Sequence, residues 1–297
     1  MDLDRMELAD CATPEALAAG ILKQVPVMPI PVPISEIALA LGIVEIKEEA
    51  LEGFEGGLIA FADKSEGSIL VNRASNPQRR RFTIGHELAH FLLPWHQPKT
   101  PEGFLCTTKD LRMSGAKAGD RAAEMEVQAN RFAAEMLFPR PYFGKDMAAF
   151  RVVDVEHILA LSRRYDMSKE ATARRYVEFH REPAAAVVSK GGKVLRVYRH
   201  KSFPFVEATI GASVPSGSAT SRVTVEEGKA TGWHEVDGGV WLSSRFGRRS
   251  PKVFEQILGQ QSGFRLTLLT IESDDTDDDD EDADDVRRAW SPPTFRR

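Results

Sequence analysis

Histidine and glutamate side chains with the spacing of a metal site lie in RRRFTIGHELAHFLLPWH, residues 79–96. His86 and His90 are four residues apart, so on a helix they project from the same face, about one turn from each other. Two imidazoles placed in this way can bind one divalent ion, and the pattern favours zinc. Glu87 projects beside the ion position, where a carboxylate can take a proton from water. The pattern therefore predicts metal-assisted hydrolysis with one ion per chain, bound by His86 and His90, and with Glu87 as the catalytic base.

A third protein ligand is needed, and the sequence offers two candidates. His96 lies six residues after His90, as in the extended H-E-x-x-H-x-x-G-x-x-H signature, but position 93 is Leu where that signature needs Gly for a sharp turn. Glu126 begins EVQANRFAAEMLFP, residues 126–139, which is a second helical run. Alanines at positions 129, 133 and 134 of this run permit close packing against the first helix. These features favour Glu126, and His96 stays the alternative.

The pairing of RFTIGHELAHFLL with the downstream run E-x-x-A-N-x-F-A-A-x-x-L-x-P resembles the ImmA/IrrE family of metallopeptidases. The resemblance extends over residues 30–182. In that family the first Glu of the second run is the third zinc ligand, which corresponds to Glu126, and the Glu of the first motif is the catalytic base, which corresponds to Glu87. The resemblance implies a cytoplasmic zinc endopeptidase whose substrate is a DNA-binding repressor protein. Cleavage of the repressor would release genes for DNA damage, stress responses or mobile elements.

The sequence predicts that the elements that position these residues form an α+β chain with four parts. A mainly helical, zincin-like metallopeptidase domain with a small sheet occupies 1–145, and a helix-turn-helix-like helical unit follows at 146–182. A mostly β module occupies 183–271, because apolar and polar residues alternate there between Gly-rich breaks. A disordered acidic tail is predicted at 272–297.

Short apolar runs before the metal helix predict the small sheet, with strands at 43–47, 57–63 and 68–72. Its outer strand can bind an extended peptide over the ion, although a sheet that only covers the core has the same pattern. The polar insert at 99–119 is predicted to overhang the site. In the C-terminal module, the run at 251–259 predicts one amphipathic helix among the strands.

Residues 155–180 predict two helices joined by a short turn, with Ser168 as the N-cap of the second helix. This arrangement resembles a helix-turn-helix, in which Arg174 and Arg175 can contact DNA. The alternative function is therefore a transcriptional regulator or antirepressor that binds DNA or a repressor through this unit, with a structural or vestigial metal site. Many helical hairpins share the pattern, so DNA contact is not predicted to be the primary activity. Tyr142, after a proline break, is considered as an oxyanion-stabilising group but is not included among the catalytic residues.

Composition limits the class of protein. The chain has 297 residues, of which 42% are apolar and 28% charged, values that are ordinary for a soluble globular protein. No segment is predicted to span a membrane, and the N-terminal segment MDLDRMELAD is acidic where a targeting signal would be basic. Cys11 and Cys106 are the only cysteines, which predicts free thiols and a reducing, cytoplasmic location. The net charge of −5 includes eleven acidic residues at 272–285, so the rest of the chain is net positive.

Overall fold

The computed structural model of the chain describes residues 1–98, 103–243 and 251–271. The predicted acidic tail at 272–297 and the first residues of the polar insert lie outside the described residues. Within the described ranges the chain has a mixed α+β architecture with two sheets, as the sequence predicts. No helix in these ranges is both long enough and apolar enough to cross a membrane.

The N-terminal part combines helices with a four-stranded sheet. Its helices are α1 (Pro14–Gln24), α2 (Ile34–Ala40), α3 (Pro77–Leu92) and α4 (Arg121–Leu137). Its strands are β1 (Ile43–Glu49), β2 (Gly56–Ala60), β3 (Gly67–Asn72) and β4 (Phe104–Cys106), in the order β1-β3-β2-β4. The first three strands agree with the prediction. Strand β4 comes from the polar insert and pairs antiparallel with β2, so part of that insert belongs to the sheet.

Helix α3 is held at both of its ends. At the start, the Asn76 side chain accepts a hydrogen bond from the backbone N–H of Arg79 at 2.8 Å, which is a normal N-cap. At the end, the buried Lys64 ammonium donates to the carbonyl oxygens of His90 and Leu93 at 2.7 and 2.6 Å. A cation is favourable there because the last carbonyls of a helix carry partial negative charge. These contacts hold the backbone that carries the H-E-x-x-H motif.

Helices α3 and α4 pack closely because small residues face each other between them. A Cβ atom added at Gly85 of α3 would lie 3.3 Å from the Cβ atom of Ala133 on α4. Ala129 and Ala133 are completely buried, as the alanine pattern of α4 predicts. Two helices can approach to a short interaxial distance only where their side chains are small. This approach brings the Glu126 carboxylate of α4 to the face of α3 that carries the histidines.

Helices α5 (Arg140–Ala148), α6 (Val155–Tyr165) and α7 (Lys169–Phe179) follow α4. Helices α6 and α7 form the predicted hairpin, and the Ser168 side chain caps α7 by accepting from the N–H of Ala171 at 3.1 Å. The DNA contact considered for Arg175 is not open to its buried side chain, which is 5% exposed and has Nη2 2.9 Å from Oε2 of Glu135 on α4. Arg175 therefore joins α7 to α4 and does not face DNA, whereas Arg174 stays exposed beside the Tyr198 ring.

The C-terminal part is mostly β, as predicted. A short helix, α8 (Ala219–Arg222), and five strands make up its regular structure: β5 (Ala184–Lys190), β6 (Lys193–Arg199), β7 (His234–Val236), β8 (Val253–Gly259) and β9 (Phe264–Ile271). The strands form an antiparallel sheet in the order β6-β5-β9-β8-β7. The helix predicted at 251–259 is therefore wrong, since this segment is strand β8.

Both faces of this sheet are buried, which explains the wrong helix prediction. One face, with Ala186, Leu258 and Leu268, packs in the same core as the helices of the N-terminal part. The other face, with Val187 and Ile257, packs in a second core around Trp241. A strand buried on both faces does not alternate between apolar and polar residues, so its pattern resembles that of a buried helix. Since helices and sheet share a core, the domain boundaries at 145 and 182 stay predictions.

Candidate metal centre

The side chains of His86, His90 and Glu126 meet between α3 and α4. The two Nε2 atoms of the histidines are 3.1 Å apart. Oε2 of Glu126 lies 3.2 Å from Nε2 of His86 and 3.5 Å from Nε2 of His90. Exposure is 0% for His86, 1% for His90 and 7% for Glu126. Three ligand atoms of the types that bind transition metals thus converge on one buried point.

The spacing of these atoms fits a tetrahedral metal site. Zinc binds nitrogen and oxygen at about 2.0–2.2 Å, so two ligand atoms at neighbouring corners of a tetrahedron are about 3.3 Å apart. The three separations in this group, 3.1, 3.2 and 3.5 Å, agree with that value. Oε2 of Glu126 is buried and has no well-aligned hydrogen-bond donor, although it touches both rings. The group is therefore capable of binding a metal ion through these three side chains.

Electrostatics within the group also favours a cation. Burial lowers the pKa of His86, but contact with Glu126 and the charges of Glu87 and Glu126 outweigh burial, so the net shift is upward. For His90, burial outweighs the same contact and lowers the pKa to about 3. Burial raises the pKa of Glu126, yet the two imidazoles hold it well below its usual value. An ionised Glu126 therefore lies beside the two imidazoles, and its negative charge would stabilise a cation bound between them.

The second ring nitrogen of His86 is held by Asn130. Oδ1 of Asn130 lies 2.9 Å from Nδ1 of His86, while Nδ2 donates to the carbonyl oxygens of Asp110 and Met113 at 2.7 and 2.9 Å. Because Nδ2 has two acceptors, Oδ1 must accept, so the proton is on Nδ1 of His86 and Nε2 points at Glu126. Asn130 was not selected from the sequence. Its position four residues after Glu126, on the same face of α4, was the available signal.

His96 lies on the other side of His90 from Glu126. Nδ1 of His96 is 2.9 Å from Nδ1 of His90, which is the ring nitrogen that points away from the other ligand atoms. The Phe104 ring of β4 stacks on His90, with centroids 4.3 Å apart. The described structure thus groups Glu126, not His96, with His86 and His90.

Glu87 is completely buried beside this group, and neither of its carboxylate oxygens has a hydrogen-bond partner of good geometry. Burial raises its pKa to about 7, against the opposing effects of the His86 charge and the Cys106 thiol. A carboxyl group with a pKa near neutrality can both accept and return a proton at physiological pH. The site therefore contains a buried group suited to general acid–base chemistry.

Strand β4 brings Cys106 to the same place. Ligand atoms of His86, Glu87 and Cys106 lie within 4.8 Å of one another. Burial and the neighbouring Glu87 charge raise the pKa of the Cys106 thiol well above its usual value. Since the thiolate is the form that binds metals, Cys106 stands beside the site as a neutral, free thiol.

Tyr142 is not near the metal group. Its hydroxyl accepts a hydrogen bond from the backbone N–H of Met28 at 2.9 Å, so it joins α5 to the segment before α2. Lys64 at the end of α3 is a further residue that sequence reasoning missed. It lies in the turn between β2 and β3, with a positive φ of 52°, and nothing in its local sequence marks it as a helix cap.

Comparisons with known proteins agree with this architecture. The family profile Peptidase_M78, described as IrrE N-terminal-like domain, matches residues 43–176. No curated protein matches the chain. A solved structure described as a Mycobacterium tuberculosis transcriptional regulator is similar, with a TM-score of 0.54 and 14% identity over 90% of this chain and 78% of that one. At this identity the similarity concerns the fold alone. The profile match contains both helices of the metal group and supports the resemblance of residues 43–176 to the ImmA/IrrE family.

Proposed function

We propose that the chain is a zinc-dependent endopeptidase that cleaves a DNA-binding repressor protein. The main support is the convergence of Nε2 of His86, Nε2 of His90 and Oε2 of Glu126 at separations of 3.1–3.5 Å, with Glu87 beside them. Two imidazoles, a carboxylate and an open fourth position form the donor set of hydrolytic zinc sites. Structural zinc sites are usually closed by a fourth protein ligand, whereas this group joins three among the described residues, which favours catalysis.

His86, His90 and Glu126 would hold the ion, which acts as a Lewis acid on the peptide carbonyl and increases the acidity of water. Glu87 takes the proton from the attacking water on a carboxylate oxygen and returns it to the amine that leaves. The oxygens of Glu87 make this possible, because they have no well-aligned donor and the adjacent Cys106 thiol is only a weak one. Its pKa of about 7 suits both steps near neutral pH.

The substrate class comes from the family and from the neighbour in structure. The chain shares the ImmA/IrrE domain over residues 43–176, and the similar solved structure is described as a transcriptional regulator. Both connect the domain with gene control. Direct DNA binding through α7 has less support, because Arg175 is buried against Glu135.

A cleavage assay with a base-deficient variant tests this function. The purified chain with one equivalent of zinc is mixed with candidate helix-turn-helix repressors, and cleavage is followed by mass spectrometry. We expect the wild type to cut once and Glu87→Gln to lose about 10²- to 10⁴-fold in rate while it keeps one zinc per chain. Glu124→Gln, at an exposed position of α4, is the matched control and keeps full activity.

Two outcomes would contradict the proposal. Cleavage by Glu87→Gln at the wild-type rate would exclude Glu87 as the base. A wild-type protein that binds no transition metal, with or without added zinc, would exclude the metallopeptidase mechanism.

A further inference from the structure

The His90 imidazole contacts a chain of three side chains that leads away from the metal group. Nδ1 of His90 is 2.9 Å from Nδ1 of His96, and Nε2 of His96 is 2.9 Å from Oε1 of Gln128 on α4. The same oxygen accepts a hydrogen bond from the Trp95 indole N–H at 2.7 Å. His90 and His96 are buried, whereas Trp95 is 42% exposed. This series of hydrogen-bonded side chains therefore runs from the metal group to the protein surface.

The protons in this chain can be assigned from one end to the other. The indole nitrogen of Trp95 can only donate, so the Gln128 atom that faces it is the carbonyl oxygen. That oxygen can only accept, so Nε2 of His96 carries a proton. A neutral imidazole has one N–H group, which leaves Nδ1 of His96 as an acceptor. The 2.9 Å contact between the two Nδ1 atoms then requires the proton to be on His90.

This assignment determines how His90 presents its other nitrogen. With the proton on Nδ1, the lone pair of His90 is on Nε2, which faces Nε2 of His86 and Oε2 of Glu126. With the proton on Nε2, His90 would direct an N–H group at the ion position and could not bind a cation. Packing by Phe104 restrains the ring but cannot select between these two tautomers.

We propose that His96, oriented by Gln128 and Trp95, is a positioning residue that holds His90 in the Nδ1–H tautomer with Nε2 directed at the metal. The proposal rests on the proposed function in one respect, namely that His90 is a metal ligand. It gives His96 a different role from the one that the H-E-x-x-H-x-x-G-x-x-H spacing offers. His86 donates the equivalent hydrogen bond from its Nδ1–H to Asn130, so each imidazole has its own partner.

Two substitutions at position 96 separate a positioning role from a structural one. His96→Leu keeps an apolar side chain of similar volume but removes the acceptor. His96→Asn keeps an acceptor, because its Oδ1 can occupy the place of Nδ1. We expect His96→Leu to weaken zinc binding by about 10- to 100-fold and His96→Asn to restore most of the loss. Zinc affinity is measured by competition with a chromophoric chelator, and His234→Leu, far from the site on β7, is the control.

A second readout does not depend on metal. In ¹⁵N-histidine NMR spectra of the metal-free protein, the two tautomers of a neutral imidazole give different ¹⁵N shifts. We expect His90 to be in the Nδ1–H form in the wild type and in His96→Asn, and to lose that preference in His96→Leu. If His96→Leu does not fold, Gln128→Leu removes the next acceptor in the chain and provides the same test with a smaller expected change.

Zinc affinity and a His90 tautomer that are both unchanged in the variants would overturn the proposal. Equal loss of zinc affinity in His96→Leu and His96→Asn would also overturn it. That result is expected if His96 is itself a zinc ligand, because Asn would not replace a ligand. If the wild type binds no zinc, the proposed function fails, whereas the NMR measurement still tests the role of His96.

Discussion

Glu87 on α3 and Glu255 on β8 are both completely buried, yet their surroundings are opposite. The Glu255 carboxylate accepts four hydrogen bonds, from the backbone N–H groups of Ala219 and Thr220, the Thr220 hydroxyl and the Trp241 indole, at 2.7–2.9 Å. Neither oxygen of Glu87 has such a partner. The same residue type, at the same burial, is fully satisfied in one part of the molecule and unsatisfied in the other.

The difference separates a structural acid from a chemical one. Glu255 joins α8, β8 and Trp241, and its hydrogen bonds replace the water that a carboxylate loses on burial. Glu87 lacks that compensation, so burial raises its pKa to about 7 and leaves its oxygens free to exchange a proton. Burial alone therefore does not identify an active carboxylate. An unmet need for hydrogen bonds beside a metal-binding group is the feature that favours Glu87 as the proposed base.

The largest stability effect is expected for Glu255→Ala. The substitution removes the acceptor that four buried donors share, so the free energy of unfolding should fall by on the order of 4 kcal/mol. Urea denaturation followed by tryptophan fluorescence measures the change, and zinc affinity should be unaffected. Glu235→Ala, at an exposed position of β7, is the control and should cost under about 1 kcal/mol. If the urea midpoint of Glu255→Ala equals that of the wild type, Glu255 does not stabilise the fold. The proposed contrast between Glu255 and Glu87 would then be wrong.

The next effect is the contribution of Glu87 to the dependence of stability on pH. Its pKa is raised from 4.5 to about 7 on folding, so the folded chain keeps a proton that the unfolded chain releases. The contribution of Glu87 to stability therefore falls as pH rises from about 4.5 through about 7, by at most on the order of 3 kcal/mol.

Glu87→Gln removes this titration and should gain stability over the wild type as pH increases. The measurement is urea denaturation of both metal-free proteins at pH 5 and pH 8, with a chelator present. A constant difference between the two proteins across this range would show that Glu87 is not shifted by burial.

The smallest effect is expected for Thr220→Val, which removes one of the four donors to Glu255 without changing the side-chain shape. The Thr220 hydroxyl also lies 2.8 Å from the Thr267 hydroxyl, so Glu255 and Thr267 each lose one hydrogen bond. The free energy of unfolding should fall by about 1–2 kcal/mol, clearly less than in Glu255→Ala. A loss as large as that of Glu255→Ala, measured by the same urea denaturation, would contradict this. It would mean that the stabilisation of the Glu255 carboxylate is not divided among the four donors.

Local patterns predicted much of the N-terminal part. The strands at 43–72, the helix with the H-E-x-x-H motif and the helical hairpin all follow from apolar periodicity, caps and turn residues. Strand β8 was predicted as a helix because a strand covered on both faces has no alternation to read. Strand β4 was missed since only three residues pair with β2, and such pairing depends on a distant partner.

At the candidate site, the sequence alone determined the relative positions of residues within one helical turn. His86 and His90 share a face, and Glu87 lies beside them. Only the tertiary structure decided which atoms meet, because contacts between different elements depend on packing and not on spacing along the chain. The Gly85–Ala133 approach brings Glu126 within 3.5 Å of both rings, and it leaves His96 at the far nitrogen of His90. Tertiary packing also left Glu87 without a well-aligned donor and, in the second core, gave Glu255 four.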